Sequence, residues 1–228
     1  MAIHPADRII ERTDHSWANL NAAFGAVLEE HPPARVLDVG AGDSDFAEVS
    51  IDGGRSVARL DPDYATNPPA GQDWHVGSAE AIPFPDKSFD AVISAFLMQH
   101  LSPEQQAEAI REMIRVTVPH SEESLGAVGI YPVYQESKLD RQLARDGLSH
   151  TVVQRLNYEA FERLPIGVKR KYPTIWIPHT TLLDDGNTID RLSRSIAESG
   201  ALNRRQNLRD IGRRMVMRSQ QTNISHVR

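Results

Sequence analysis

The 228-residue chain contains no cysteine. That absence excludes disulfide staples, zinc sites built on thiolates and a cysteine nucleophile. It also excludes the pyrimidine-carbon methylation chemistry that needs such a nucleophile. No apolar run approaches the length of a membrane span, and Met1–Glu11 has no apolar core of the secretory type. The expectation is a cytoplasmic protein with no membrane partner. Internal repeats and low-complexity tracts are absent, and no His/Asp/Glu spacing suggests a metal site.

What is present is the composition of an ordinary globular domain, with 40% hydrophobic and 25% charged residues and a formal net charge of −6. Such a balance argues against a nucleic-acid binder. The charge is uneven: Asn203–Arg228 holds arginines 204, 205, 209, 213, 214, 218 and 228 against the single acid Asp210. These form either a solvated hairpin and tail or a local site for a peptide or phosphorylated acceptor.

Apolar spacing predicts a helix over 6–30, stopped by His31-Pro32-Pro33. Strands follow at Arg35–Val39, Ser56–Leu60, Asp73–Val76, Phe89–Phe96 and Leu125–Ile130. Ser102-Pro103-Glu104 is a helix start, with Ser102 as N-cap and Pro103 in the first helical position. Asp45–Ser50 reads as a short helix. The stretch 132–186 breaks the alternation with helices near Gln135–Arg145 and Thr151–Arg163 and an aromatic stretch, Tyr172–Trp176. Thr188–Ser199 reads as a helix ending at Gly200, and Arg204–Leu208 with Arg213–Arg218 as an antiparallel pair. Alternation of this kind belongs to the α/β doubly wound class.

Asp38-Val39-Gly40-Ala41-Gly42 closes the first strand, where glycines let backbone approach a ligand and a helix start offers unpaired N–H groups. Asp61 closes the second strand and is able to accept both hydroxyls of a ribose. Val36–Asp45 (VLDVGAGDSD), Gly77–Val92 (GSAEAIPFPDKSFDAV), Ile93–Leu101 (ISAFLMQHL) and Ser199-Gly200-Ala201 together resemble the class I S-adenosylmethionine-dependent methyltransferases, in their small-molecule branch. The resemblance covers about 35–131 and 187–218. It implies a Rossmann-like seven-stranded sheet, S-adenosylmethionine as cofactor, and methyl transfer to oxygen or nitrogen of a small-molecule acceptor. In this organisation 1–34 supplies N-terminal helices that help cover the site, 132–186 an inserted helical cap, and 219–228 a tail.

Position by position, the resemblance sets Gly40, Ala41 and Gly42 against the methionine part, with Asp38 supporting that loop or the ammonium. Asp61 would hold the ribose hydroxyls, Pro62 would lie beside the adenine, and the Ala79 N–H would meet a ring nitrogen. Ser94, Ala95 and Phe96 would flank the sulfonium. Departures from the family pattern are Ser44 in place of a third glycine, Ser78 in place of an aspartate, and a nearly absent helix between strands two and three. A hydroxyl acceptor needs its proton removed. His100, just past strand four, is the first candidate base and His179 the second. Tyr131 and Tyr134 are candidate pocket walls. Other readings stay open: an S-adenosylmethionine-binding enzyme that rearranges its substrate without methyl transfer, and a non-catalytic binding protein. Asn67-Pro68-Pro69 is loop punctuation, since it follows strand two and Ala70 is not aromatic. Gly42-Asp43-Ser44 resembles the start of the Gly-Asp-Ser hydrolases, but no late Asp-x-x-His accompanies it. Asp45 stands where a dinucleotide fingerprint needs its third glycine.

Overall fold

The computed structural model describes Phe24, Leu28 and residues 35–42, 56–68, 73–148 and 174–205, with 181–182 described by backbone alone. Six strands form one sheet: β1 Arg35–Val39, β2 Ser56–Asp61, β3 Trp74–Val76, β4 Ala91–Ala95, β5 Ala127–Tyr131 and β6 Ile175–Pro178. Their spatial order is β3-β2-β1-β4-β5-β6, and every pairing is parallel except that of β6 with β5. The order reverses between β1 and β4, and ligands of open α/β sheets bind in the crevice at such a switch point, beyond the carboxyl ends of the strands.

The central strands are apolar almost throughout because both faces are covered. One face receives α1 (Pro103–Val116) and α3 (Gly186–Ser199), with Leu37, Leu60, Val92, Ile110, Ile130 and Ile196 in the shared core. The other face buries Val36, Val57, Ile93 and Trp176 against Phe24 and Leu28. Those two residues are helical, as the N-terminal apolar spacing predicts. Phe24 meets Trp176 edge to face at 5.7 Å between ring centroids.

Helix α1 begins as its sequence predicts. Ser102 accepts from the Gln105 N–H, and the Gln105 side chain accepts from the Ser102 N–H, which is a reciprocal capping box, with Pro103 at the first position. Helix α3 ends at Gly200 in the left-handed region. A short helix, α2 (Glu136–Arg145), packs on α3.

Three expectations change. The described residues hold six strands where seven are expected. Arg204 and Arg205, read as the start of a strand, are helical; 206–218 lie outside the described residues. Ile175–Pro178, read as part of the inserted cap, is instead the sheet's antiparallel edge strand. Its flanking prolines resemble loop punctuation, yet an edge strand tolerates Pro178 at its last position. The predicted helices at 45–50 and 151–163, and the arginine-rich tail beyond Arg205, also lie outside the described residues. Among the described residues no helix is long and apolar enough to cross a membrane, and no group of three or more His, Asp or Glu could hold a metal ion.

Candidate active site

The parallel strands deliver Gly40, Asp61, Gly77 and Phe96 to one end of the sheet, each directly after or at the end of its strand. The turn after β1 is held tightly. Gly40 N–H donates to the Leu60 carbonyl at 2.8 Å, and Ala41 N–H to the same oxygen at 3.3 Å. Gly40 has φ +70°, and a Cβ there would sit 2.8 Å from Leu97 Cδ2. Only glycine meets both conditions. Gly42 has φ +50°, and no described atom lies within 4 Å of where its Cβ would be.

Asp61 is buried, and each of its carboxylate oxygens accepts one backbone N–H: Oδ2 from Gly42 and Oδ1 from Asp63, both at 2.9 Å. Each oxygen keeps a further lone pair for a hydroxyl. Between β2 and β3, where the sequence leaves a helix nearly absent, the described residues make a short 3-10 turn, Pro62–Ala65, capped by Asp61. Its Tyr64 is buried. The hydroxyl donates to the Gly42 carbonyl at 2.7 Å, and burial pushes its pKa up to about 12. Arg59, buried on β2 and in register with Asp38 of β1, donates to the same carbonyl at 3.1 Å. Sequence reasoning missed Arg59 and Tyr64. A lone arginine in a buried strand was the available signal, because a buried guanidinium needs partners.

Beyond β3, Ser78 forms an isolated bridge with Ala81. Its hydroxyl donates to Glu80 Oε2 at 2.5 Å, and Gln105 of α1 donates to Glu80 Oε1 at 2.8 Å. A carboxylate therefore stands beside the serine that replaces the family's aspartate. The loop 82–86 that follows is tied down by Arg115, which donates to the carbonyls of Ile82 and Phe84 at 2.9 Å each and to Asp86 at 2.7 Å. Glu112 accepts the Ile82 N–H at 2.9 Å; hydrogen bonding from Arg115 holds its carboxyl below the usual range.

At the end of β4, Ser94 is fully buried, and its hydroxyl has no hydrogen-bond partner among the described residues. Phe96 has φ +60°, a conformation that costs an aromatic residue about 1–3 kcal/mol and concentrates at functional sites. It packs edge to face on Tyr131 at 5.2 Å. His100 closes the 3-10 turn Met98–His100 and is exposed. Gln99 bridges it to the β5 side: Tyr134 Oη donates to Gln99 Oε1 at 2.9 Å, and Gln99 Nε2 lies 3.2 Å from His100 Nε2.

The structure thus brings Asp38, Gly40, Ala41, Gly42, Asp61, Pro62, Ser78, Ala79, Ser94, Ala95, Phe96 and His100 to or next to one end of the sheet. It does not bring His179 there. Because β6 runs antiparallel, His179 follows Pro178 opposite Ala127, the first residue of β5. The His179 Nδ1 lies 2.7 Å from the Thr117 carbonyl. The length of β5, about 13 Å at strand rise, separates it from the Tyr131 end, so His179 is withdrawn as a candidate base.

Residues 37–122 match the methyltransferase domain family. Demethylmenaquinone methyltransferase of Renibacterium salmoninarum is 37% identical over 110 residues, which cover 42% of this chain and 40% of that protein. Malonyl-(acyl-carrier protein) O-methyltransferase of Yersinia pestis is 31% identical over 134 residues, covering 55% of this chain and 47% of that protein. The chain thus spans less than half the length of these two curated relatives. The crystal structure of Burkholderia thailandensis 1,6-didemethyltoxoflavin-N1-methyltransferase, with 1,6-didemethyltoxoflavin and S-adenosylhomocysteine bound, matches with a TM-score of 0.50 at 16% identity, covering 76% of this chain and 83% of that one. That likeness is one of fold.

Proposed function

We propose, on the match of residues 37–122 to the methyltransferase domain family, that this chain is a class I S-adenosylmethionine-dependent methyltransferase that binds its cofactor at the carboxyl ends of β1 to β4 and methylates oxygen or nitrogen of a small molecule. The observation that carries the reading is Asp61. It is a buried carboxylate at the sheet's switch region whose two oxygens are oriented by the N–H groups of Gly42 and Asp63, leaving acceptor capacity for a ribose diol.

The residues present fit the cofactor. No described atom lies within 4 Å of a Cβ position at Gly42, Ser94 offers a buried hydroxyl with no described partner, and Ser78 with Glu80 offers acceptors beside the Ala79 backbone. The bound cofactor supplies a methyl group already activated by its positive sulfur. The chain's own contribution is to hold the acceptor in line and exclude water. Positioning of that kind is worth roughly 7–11 kcal/mol in favourable cases. Phe96 and Tyr131 form the wall next to the β4 end. His100 takes the acceptor's proton directly, with its ring held by Gln99, which in turn accepts from Tyr134 Oη. Of the cap expected over 132–186, the described residues 132–148 begin at the carboxyl end of β5, where they would help cover the acceptor. Two curated relatives are named for demethylmenaquinone and for a malonyl group on acyl-carrier protein, and a ring or acyl acceptor of similar size suits this reading.

Calorimetric titration with S-adenosylmethionine and S-adenosylhomocysteine, with Asp61→Ala alongside, is the test. Saturable binding that weakens by about 1–3 kcal/mol in the variant, the scale of buried hydrogen bonds lost, is expected. Absence of binding to the wild type defeats the reading. Appearance of S-adenosylhomocysteine during turnover separates methyl transfer from a rearrangement that leaves the cofactor intact.

A further inference from the structure

Gly42 is held from both sides of its backbone. Its N–H donates to Asp61 Oδ2 at 2.9 Å, and its carbonyl accepts from Tyr64 Oη at 2.7 Å and from Arg59 Nη2 at 3.1 Å. A glycine at φ +50° rotates at small cost, so a loop ending in it gains little order from its own backbone. The holding groups come from one short stretch. Arg59 and Asp61 lie on β2, and Tyr64 sits in the 3-10 turn of the short β2–β3 connection. The Arg59 guanidinium lies 5.7 Å from the Tyr64 ring centroid, and Trp74 of β3 packs edge on that ring at 6.1 Å. Arg59 and Tyr64 are both nearly inaccessible. Burying a guanidinium is costly unless it is well bonded, and the Gly42 carbonyl is one acceptor that the structure gives it.

We propose that Tyr64 and Arg59 are positioning residues for the cofactor: by gripping the Gly42 carbonyl they fix the loop in the form that receives S-adenosylmethionine, and so replace the ordering that a longer β2–β3 connection would give. This inference rests on the cofactor reading above. Pre-ordering of this kind acts on binding, because it lowers the ordering cost of association. It leaves the methyl-transfer step alone once the site is filled.

Tyr64→Phe keeps the ring and removes only the hydroxyl. The expected result is a loss of affinity for S-adenosylmethionine and S-adenosylhomocysteine alike, by roughly threefold to tenfold, the scale of one hydrogen bond. KM for the cofactor rises with it, while kcat at saturation stays within about twofold. Arg59→Lys keeps the charge and loses the fork, and the same split is expected. Amide hydrogen exchange at Gly42 in the ligand-free protein should speed up in Tyr64→Phe at unchanged global stability. Unchanged affinity in both variants, with a wild type that binds, overturns the inference, as does a fall in kcat with KM unchanged. A wild type that binds neither ligand overturns the cofactor reading instead. In that case unchanged Gly42 exchange in Tyr64→Phe overturns the grip on its own.

Discussion

At the scale of single residues, conformational tolerance and proton affinity lead to separate expectations. Gly40 combines φ +70° with a Cβ position already taken by Leu97. Gly40→Ala should therefore pay about 1–2 kcal/mol for the left-handed backbone and a further ~1–3 kcal/mol for overpacking. Chemical denaturation would read the combined loss, and a neutral result would mean that Leu97 moves aside freely. Tyr64 tests the pH response. Its folded pKa is raised by burial to about 12 from an ordinary 10.0, so the folded state holds the proton more tightly than the unfolded chain. The associated stability is complete below pH 10 and is lost as pH rises toward 12. Denaturation midpoints across that window should fall more steeply for the wild type than for Tyr64→Phe. Parallel slopes would contradict the assignment.

At the scale of elements, α1 does two things at its two ends. Its first turn is closed by the Ser102–Gln105 box, and the same Gln105 reaches Glu80 beyond β3. Ser102→Ala should cost about 1 kcal/mol of stability, measurable as a shift in thermal midpoint. Its last turn presents Glu112 and Arg115, which hold the loop after Ala81. The Glu112 carboxyl is held below its ordinary pKa, first by hydrogen bonding from Arg115. Its contribution is present above the ordinary carboxylate range and disappears as pH falls through the depressed value. Glu112→Gln should accordingly flatten the acid limb of the stability profile. An unchanged acid limb would show that the loop does not depend on this pair. Both ends of α1 were readable beforehand only in part. The cap is a local pattern, whereas the reach of Arg115 to residues about thirty positions earlier is made by the fold.

For the whole molecule, the proposed cofactor site, drawn from the ends of four strands, would couple binding to folding, since the unfolded chain has no such site. S-Adenosylhomocysteine at a hundred times its Kd should stabilise by about 2.7 kcal/mol, read as a rise in thermal midpoint that Asp61→Ala reduces. The sheet itself was legible from sequence in β1 to β5, because buried parallel strands announce themselves as short apolar runs between turn residues. The edge strand β6 was not. Ile175-Trp176-Ile177-Pro178 is apolar enough, but its neighbours argue for loop, and only the open edge of β5 gives it a partner.

The sequence by itself determined which residues gather at the carboxyl end of the parallel strands. Gly40, Gly42 and Asp61 stand at strand ends, and strand ends are set by local pattern, so their meeting follows once the sheet is parallel. Tertiary structure alone decided the partners that come from elsewhere. His179 is a histidine in a promising stretch, yet antiparallel pairing of β6 carries it to the far end of the sheet. Arg59 and Tyr64 carry no motif, yet β2 and its turn bring both onto the carbonyl of Gly42. Ser78 lacks the family's carboxylate in sequence, and a bridge to Ala81 folds Glu80 back against it. In each case the deciding quantity is a distance between side chains and backbone that strand order and turn geometry create, which residue type and spacing do not encode.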